Sequence, residues 1–183
     1  NGNIVVTTTG GATPYYYTLD NISFQLSPVF NDLTAGDYVV AVSDDNGCAD
    51  TVEVTLSEPT EVTAVVFSSE NVGCYGNASG YLELLSTGGV SPYLYSINGG
   101  QTFQSSPEFS NLAAGTYSIV VKDDNNCVKT LTATITQPEV LAFTVDVEDV
   151  LCYGGTNGSL LFSVTGGTAP FQFSTDGGQT YGL

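Results

Sequence analysis

The chain has 183 residues, with two lysines, no arginine or histidine and nineteen acids, a net charge of −17 at pH 7. That balance excludes nucleic acid as a partner, because phosphate backbones need clustered cations, and an anionic membrane surface would repel the chain. No apolar run approaches membrane-spanning length, so no direct membrane insertion is expected, while ordinary apolar and aromatic content calls for a folded core.

The chain opens on Asn1-Gly2-Asn3, already inside a strand pattern, so no signal peptide is expected within it. Ile4 and Val6 alternate with polar residues on that strand. "GGATPYYY" (10–17) then gives a double-glycine turn and an aromatic strand that sends Tyr15 and Tyr17 inward. "DLTAGDY" (32–38) has the layout of a tyrosine corner, with Tyr38 opening the next strand. "SDDNGC" (43–48) is a hairpin tip, and the strand after it turns Val52 and Leu56 inward before Glu58-Pro59.

The pattern then starts again. Pro14, Pro92 and Pro170 are spaced by 78 residues, as are Cys74 and Cys152, whereas Cys48 and Cys127 are 79 apart. The extra residue comes from "LDNIS" being one residue shorter than the later double-glycine turn. In the second copy strands are predicted near 62–68, 80–86, 93–98, 102–105, 108–112, 116–123 and 129–136. Leu82, Leu84, Tyr93, Tyr95, Tyr117, Ile119, Leu131 and Ile135 form its inward set. The third copy repeats it with Leu160, Phe162, Phe171 and Phe173, and closes on Gly182-Leu183 in mid-repeat.

Seven short strands per copy and no helical period predict an all-β fold of tandem immunoglobulin-like β-sandwich modules, with a repeat of 78–79 residues. The expected divisions are 1–58, a repeat lacking its first strand; 59–137, a complete repeat; and 138–183, the N-terminal part of a third. The expectation is a window from something longer.

The ordered set Cys74-x-Gly76, Gly80, Gly88-Gly89-x-x-Pro92-Tyr93-x-Tyr95, Leu112-x-x-Gly115-x-Tyr117, Val121-x-Asp123, Cys127 and Gln137-Pro138 resembles the SprB repeat family of bacterial surface proteins. The resemblance covers essentially the whole chain. It implies a tandem segment of a large secreted adhesin or filament on the surface of Bacteroidota cells, in some members driving gliding motility and exported by type IX secretion. Its implied location is extracellular, and its implied partners are neighbouring repeats and a cell-surface, matrix or glycan target. No enzyme is implied. A ligand- or glycan-binding module, or the stalk of a larger secreted enzyme, is the alternative.

Several motifs carry chemistry of their own. "STDGGQTY" (174–181) fits the Asp-box pattern known from sialidase propellers, but such boxes stabilise hairpins, and a sialidase needs cations that this chain lacks. Asp44, Asp45, Asp123 and Asp124 at the two tips are candidate Ca²⁺ ligands, although the DxDxDG spacing is missing and Asp-Asp-Asn-Gly is also an ordinary turn. No other cofactor is expected.

Cys48, Cys74, Cys127 and Cys152 are disulfide candidates in an oxidising compartment. Pairing inside a repeat joins Cys74 to Cys127, the arrangement slightly favoured by the sequence. Pairing between repeats joins the loop of one to the tip of the next. Cys48–Cys74 or Cys127–Cys152 bridges require consecutive repeats to fold back.

Overall fold

Val, Ile, Thr and Tyr alternate with short polar residues along this chain, and Gly, Pro, Asn and Asp interrupt each run before a helical period can develop. The computed structural model describes residues 2–182, which form strands and no helix. The contacts divide the chain into two units between Pro59 and Thr60. The first contains β1 (Gly2–Val5), β2 (Tyr16–Leu19), β3 (Phe24–Gln25), β4 (Val29–Leu33), β5 (Gly36–Ser43) and β6 (Ala49–Leu56). The second contains β7 (Thr63–Glu70), β8 (Gly80–Thr87), β9 (Leu94–Ser96), β10 (Glu108–Leu112), β11 (Gly115–Lys122), β12 (Val128–Ile135), β13 (Ala142–Glu148) and β14 (Ser159–Thr165).

In the first unit β1 pairs with β4, and a second sheet has the order β3-β2-β5-β6. Ile4 from one sheet and Tyr17, Val40 and Ala41 from the other are buried. In the second unit the order β10-β8-β7 faces β12-β11-β9. Leu82, Leu84 and Leu112 from the former and Tyr95, Ile119, Val121 and Ile135 from the latter share one core with Val62 and Val72. Two antiparallel sheets closed over one apolar layer make an immunoglobulin-like sandwich. β13 and β14 then pair in continuous register from Ala142↔Thr165 to Glu148↔Ser159. They repeat the β7–β8 hairpin without the same cover: Leu160 is 50% exposed where Leu82 is 0% exposed.

Two expectations change. The strand predicted at 102–105 shrinks to a bridge between Gln104 and Tyr95, because the turn from Ser96 to Thr102 takes up its hydrogen bonds. Val52 lies opposite Val40 and on its face, yet is 55% exposed. Its counterpart Leu131 is on β12, which packs beside β7. Among the described residues the first unit has no strand in the β7 position, so β6 is uncovered there.

Both tyrosine corners form: the Tyr38 hydroxyl donates to Thr34 O and that of Tyr117 to Ala113 O, each at 2.8 Å. Tyr15 and Tyr93 are half-buried, with hydroxyls donating to Gly10 O and Gly88 O. Phe171 has no hydroxyl and is also half-buried.

The double glycines have a specific job. At Gly88, with φ of +75°, an added Cβ would lie 2.0 Å from Glu61 O. Gly89 N donates to Thr60 O at 2.7 Å, so the segment after Pro59 is pinned across the turn. The third copy repeats the arrangement, with a Cβ added at Gly166 falling 2.0 Å from Val140 O and Gly167 N donating to Glu139 O at 2.9 Å. Only a residue without a side chain lets two backbones pass this closely.

The shortened turn of the first copy leaves a defect. Ser96 Oγ accepts from Gly100 N and donates to Asn98 Oδ1, but the equivalent Thr18 is buried and its hydroxyl has no partner among the described residues. A buried hydroxyl without a hydrogen bond is a net cost. Thr18→Val is therefore expected to raise the stability of the first unit by about 1 kcal/mol, read as a higher urea midpoint; a fall would show that the hydroxyl is satisfied.

Candidate functional site

The two hairpin tips, β5–β6 and β11–β12, have the same construction. Asp44 Oδ1 accepts Asn46 N at 3.0 Å and Cys48 N at 2.8 Å, while Oδ2 accepts Ala12 N at 3.1 Å. Asp123 Oδ1 accepts Cys127 N at 2.7 Å and Oδ2 accepts Val90 N at 2.9 Å. Each tip returns a bond, from Asp45 N to Ala12 O and from Asp124 N to Val90 O. The first aspartate of each pair is thus a latch that closes its own turn and ties the tip to the loop after the double glycine. Aspartate suits this place because its two oxygens can serve amides on both sides.

Asp44 and Asp123 are buried, whereas Asp45 and Asp124 are exposed. The buried pair spend their oxygens on backbone amides, a different role from that of cation ligands. Among the described residues no three of His, Cys, Asp and Glu gather as a metal-binding set.

The latch has an electrostatic signature. The amides of Ala12 and then Cys48 hold the Asp44 carboxyl below its ordinary value, against a smaller opposing effect of burial. At Asp123 burial is the largest single influence and opposes ionisation, but the amides of Val90, Cys127 and Asn125 together outweigh it and lower the carboxyl. A carboxyl lowered in the folded state contributes stability that is full above its unfolded value, near pH 4, and is lost as pH falls through the folded value. The stability gap between the native chain and Asp123→Asn is therefore expected to be constant from pH 5 to 7 and to narrow below about pH 4. Melting curves at each pH measure it; a gap that widens in acid contradicts the latch.

The Asp-box segment is also a latched turn. Asp176 Oδ1 accepts Gln179 N and Thr180 N, Thr180 Oγ1 donates to Oδ2, and Ser174 Oγ donates to Oδ1. The Thr180 hydroxyl, the Thr180 amide and the Ser174 hydroxyl lower the Asp176 carboxyl strongly. In the second copy Asn98 takes this place, accepting Thr102 N at 3.0 Å and the Ser96 hydroxyl at 2.8 Å. An amide can substitute because the task is hydrogen bonding.

All four cysteines are exposed free thiols. Cys74 is in the β7–β8 loop, which is tied to the far end of β12: Val72 N donates to Thr136 O, Thr136 N to Asn71 Oδ1, and Gly76 N to Gln137 Oε1. Cys127 immediately precedes the near end of β12. Eight strand residues separate those ends by about 25 Å, and a disulfide needs Cα atoms within about 7 Å. The bridge inside one repeat, favoured by the sequence, is corrected by this separation. Spacing alone does not mark Gln137 as a loop anchor; the available signal is the position before proline, Glu58 in the first copy and Gln137 in the second.

The Cys74 loop faces the third copy. Thr168 Oγ1 donates to Gly73 O at 3.4 Å. A cleft of about 730 Å³ lies here, walled by Cys74, Tyr75, Leu141, Phe143, Phe162 and Phe173. Its wall is apolar, and the Phe162 and Phe173 rings pack with centroids 4.7 Å apart. Of the surface aromatics, Tyr75 and Tyr153 occupy the same repeat position and both are exposed.

The family model described as SprB repeat matches this chain at residues 66–102 and again at 144–180. The matched segments start within β7 and β13 and run through the double-glycine turn to the latched turn beyond it. No curated protein matches. Among solved structures, the fibronectin(III)-like modules of CbhA from Clostridium thermocellum are similar at 16% identity and a TM-score of 0.34, over 74% of this chain and 85% of that one.

Proposed function

From a chain that carries SprB repeats at two places, we propose a segment of an extended extracellular adhesin or filament, in which each repeat is a spacer that presents more distal parts of the protein away from the cell. The two matches to the SprB repeat model support structural repeat modules of a kind found in cell-surface proteins. The observation that carries the proposal is the reuse of one latch. Asp44 with Ala12 and Asp123 with Val90 make the same bonds in consecutive copies, so the repeated polar residues serve folding. A net charge of −17 keeps neighbouring filaments apart. Adhesion to a glycan, matrix or protein target, a share in gliding and type IX export belong to this proposal.

Antibodies raised against the 183-residue chain are the test. Labelling of intact source cells, abolished by external protease, is expected. Labelling only after permeabilisation would overturn the surface role.

A further inference from the structure

The cysteines are of two kinds: Cys48 and Cys127 close hairpin tips, whereas Cys74 and Cys152 lie in the loops after β7 and β13. We propose that the loop cysteine of each repeat forms a disulfide with the tip cysteine of the repeat that follows, stapling consecutive repeats covalently. The staple depends on serial repeats in an oxidising compartment and is independent of any adhesive target.

The first support is the latch. Each tip cysteine donates its amide to the latch aspartate, whose other oxygen holds the residue after the double glycine, Ala12 in one copy and Val90 in the next. The repeat register puts Thr168 at that position in the third copy. Thr168 is the residue that reaches Gly73 O, one residue before Cys74. A tip latched to Thr168 in the same way arrives beside Cys74.

The second support comes from the other end of the array. In the first unit Cys48 opens on a cavity of about 170 Å³ lined also by Thr8, Gly11 and Asp44. Val164 and Gly167 hold the positions of Thr8 and Gly11 in the third copy, and both line the larger cleft, where Gly73, Cys74 and Tyr75 form the opposite wall. The face beside a tip cysteine is thus the face on which the preceding loop sits. This arrangement also removes the conflict that forbids Cys74–Cys127, since loop and tip belong to abutting ends.

The chemistry is thiol–disulfide exchange with a small disulfide oxidant such as glutathione disulfide. The loop thiolate attacks the oxidant and one glutathione leaves as a thiol. The tip thiolate then attacks the mixed disulfide, the Sγ–Sγ bond forms, and the second glutathione leaves. Two protons and two electrons pass from the cysteines to glutathione.

The test extends the full chain at its C-terminus with a copy of its own residues 106–137 that carries Lys129→Arg, which completes the third repeat, raises the cysteines from four to five and gives the appended cysteine peptide a mass of its own. After refolding in glutathione buffer, alkylation and chymotryptic mass mapping, one bridge is expected, between Cys74 and the appended copy of Cys127. Cys48, Cys127 and Cys152 should be alkylated, and Cys74→Ser should free the appended cysteine. Any Cys74–Cys127, Cys48–Cys74 or Cys127–Cys152 bridge, or five free thiols, overturns the proposal. A second variant needs no extension: Thr168→Cys in the 183-residue chain should bridge to Cys74, and a thiol that stays free there overturns it equally.

Discussion

Gly88→Ala is expected to destabilise the second unit by about 4 kcal/mol, a large part of a small domain's total stability. Left-handed backbone with a side chain costs about 1–2 kcal/mol; the remainder comes from Glu61 O, which stands 2.0 Å from where the methyl would be. Glu61 cannot withdraw freely, because Thr60 beside it is bonded to Gly89. Gly10 is the control: its φ is +77°, but nothing lies within 4 Å of its would-be Cβ. Gly10→Ala should cost only the conformational part, about 1–2 kcal/mol. Urea titrations followed by tyrosine fluorescence, suited to a chain with no tryptophan, separate the two. Equal costs would show that the close passage at Glu61 does not exist.

Leu82→Ala is expected to cost about 3–4 kcal/mol, since the residue is fully buried between two sheets and its removal leaves a cavity. Leu160→Ala, at the same repeat position, is expected to cost less than about 1 kcal/mol, because that side chain is half in water. The comparison uses one substitution, one repeat register and one local hairpin. What differs is the cover: β10 flanks β8 in its own sheet, and β11 and β12 bring Ile119, Val121 and Ile135 over Leu82. Similar losses at both sites would contradict the difference in cover. Circular dichroism of each variant against denaturant measures it.

Strand positions were largely legible because side-chain alternation and glycine punctuation are local signals. Leu82, Leu84, Tyr95, Ile119 and Ile135 could be assigned inward from letters alone, and the sandwich buries them. What alternation cannot report is whether a covering sheet is present. Val52 and Leu160 have the right phase and remain exposed for that reason. The latches were hidden by distance: Asp123 meets Val90, which lies 33 residues earlier, and a pair of acids at a turn reads equally well as a cation site. Thr18 was unreadable for a related reason, since one deleted turn residue removes a partner without changing the strand that carries it. The cysteine positions were visible, but which ends of the strands they occupy followed only from the loop's attachment to Thr136 and Gln137.

The pinning of each linker against a double-glycine turn sets how these units respond to tension. A pull arriving at Pro59 or Pro138 is divided between the strand that follows and the Thr60–Gly89 or Glu139–Gly167 bond. β7 therefore cannot peel from its free end until that bond shears and the chain clears Gly88. Forced opening of such a unit is governed by the barrier of the whole unit, so it lengthens in a discrete step and does not unravel residue by residue.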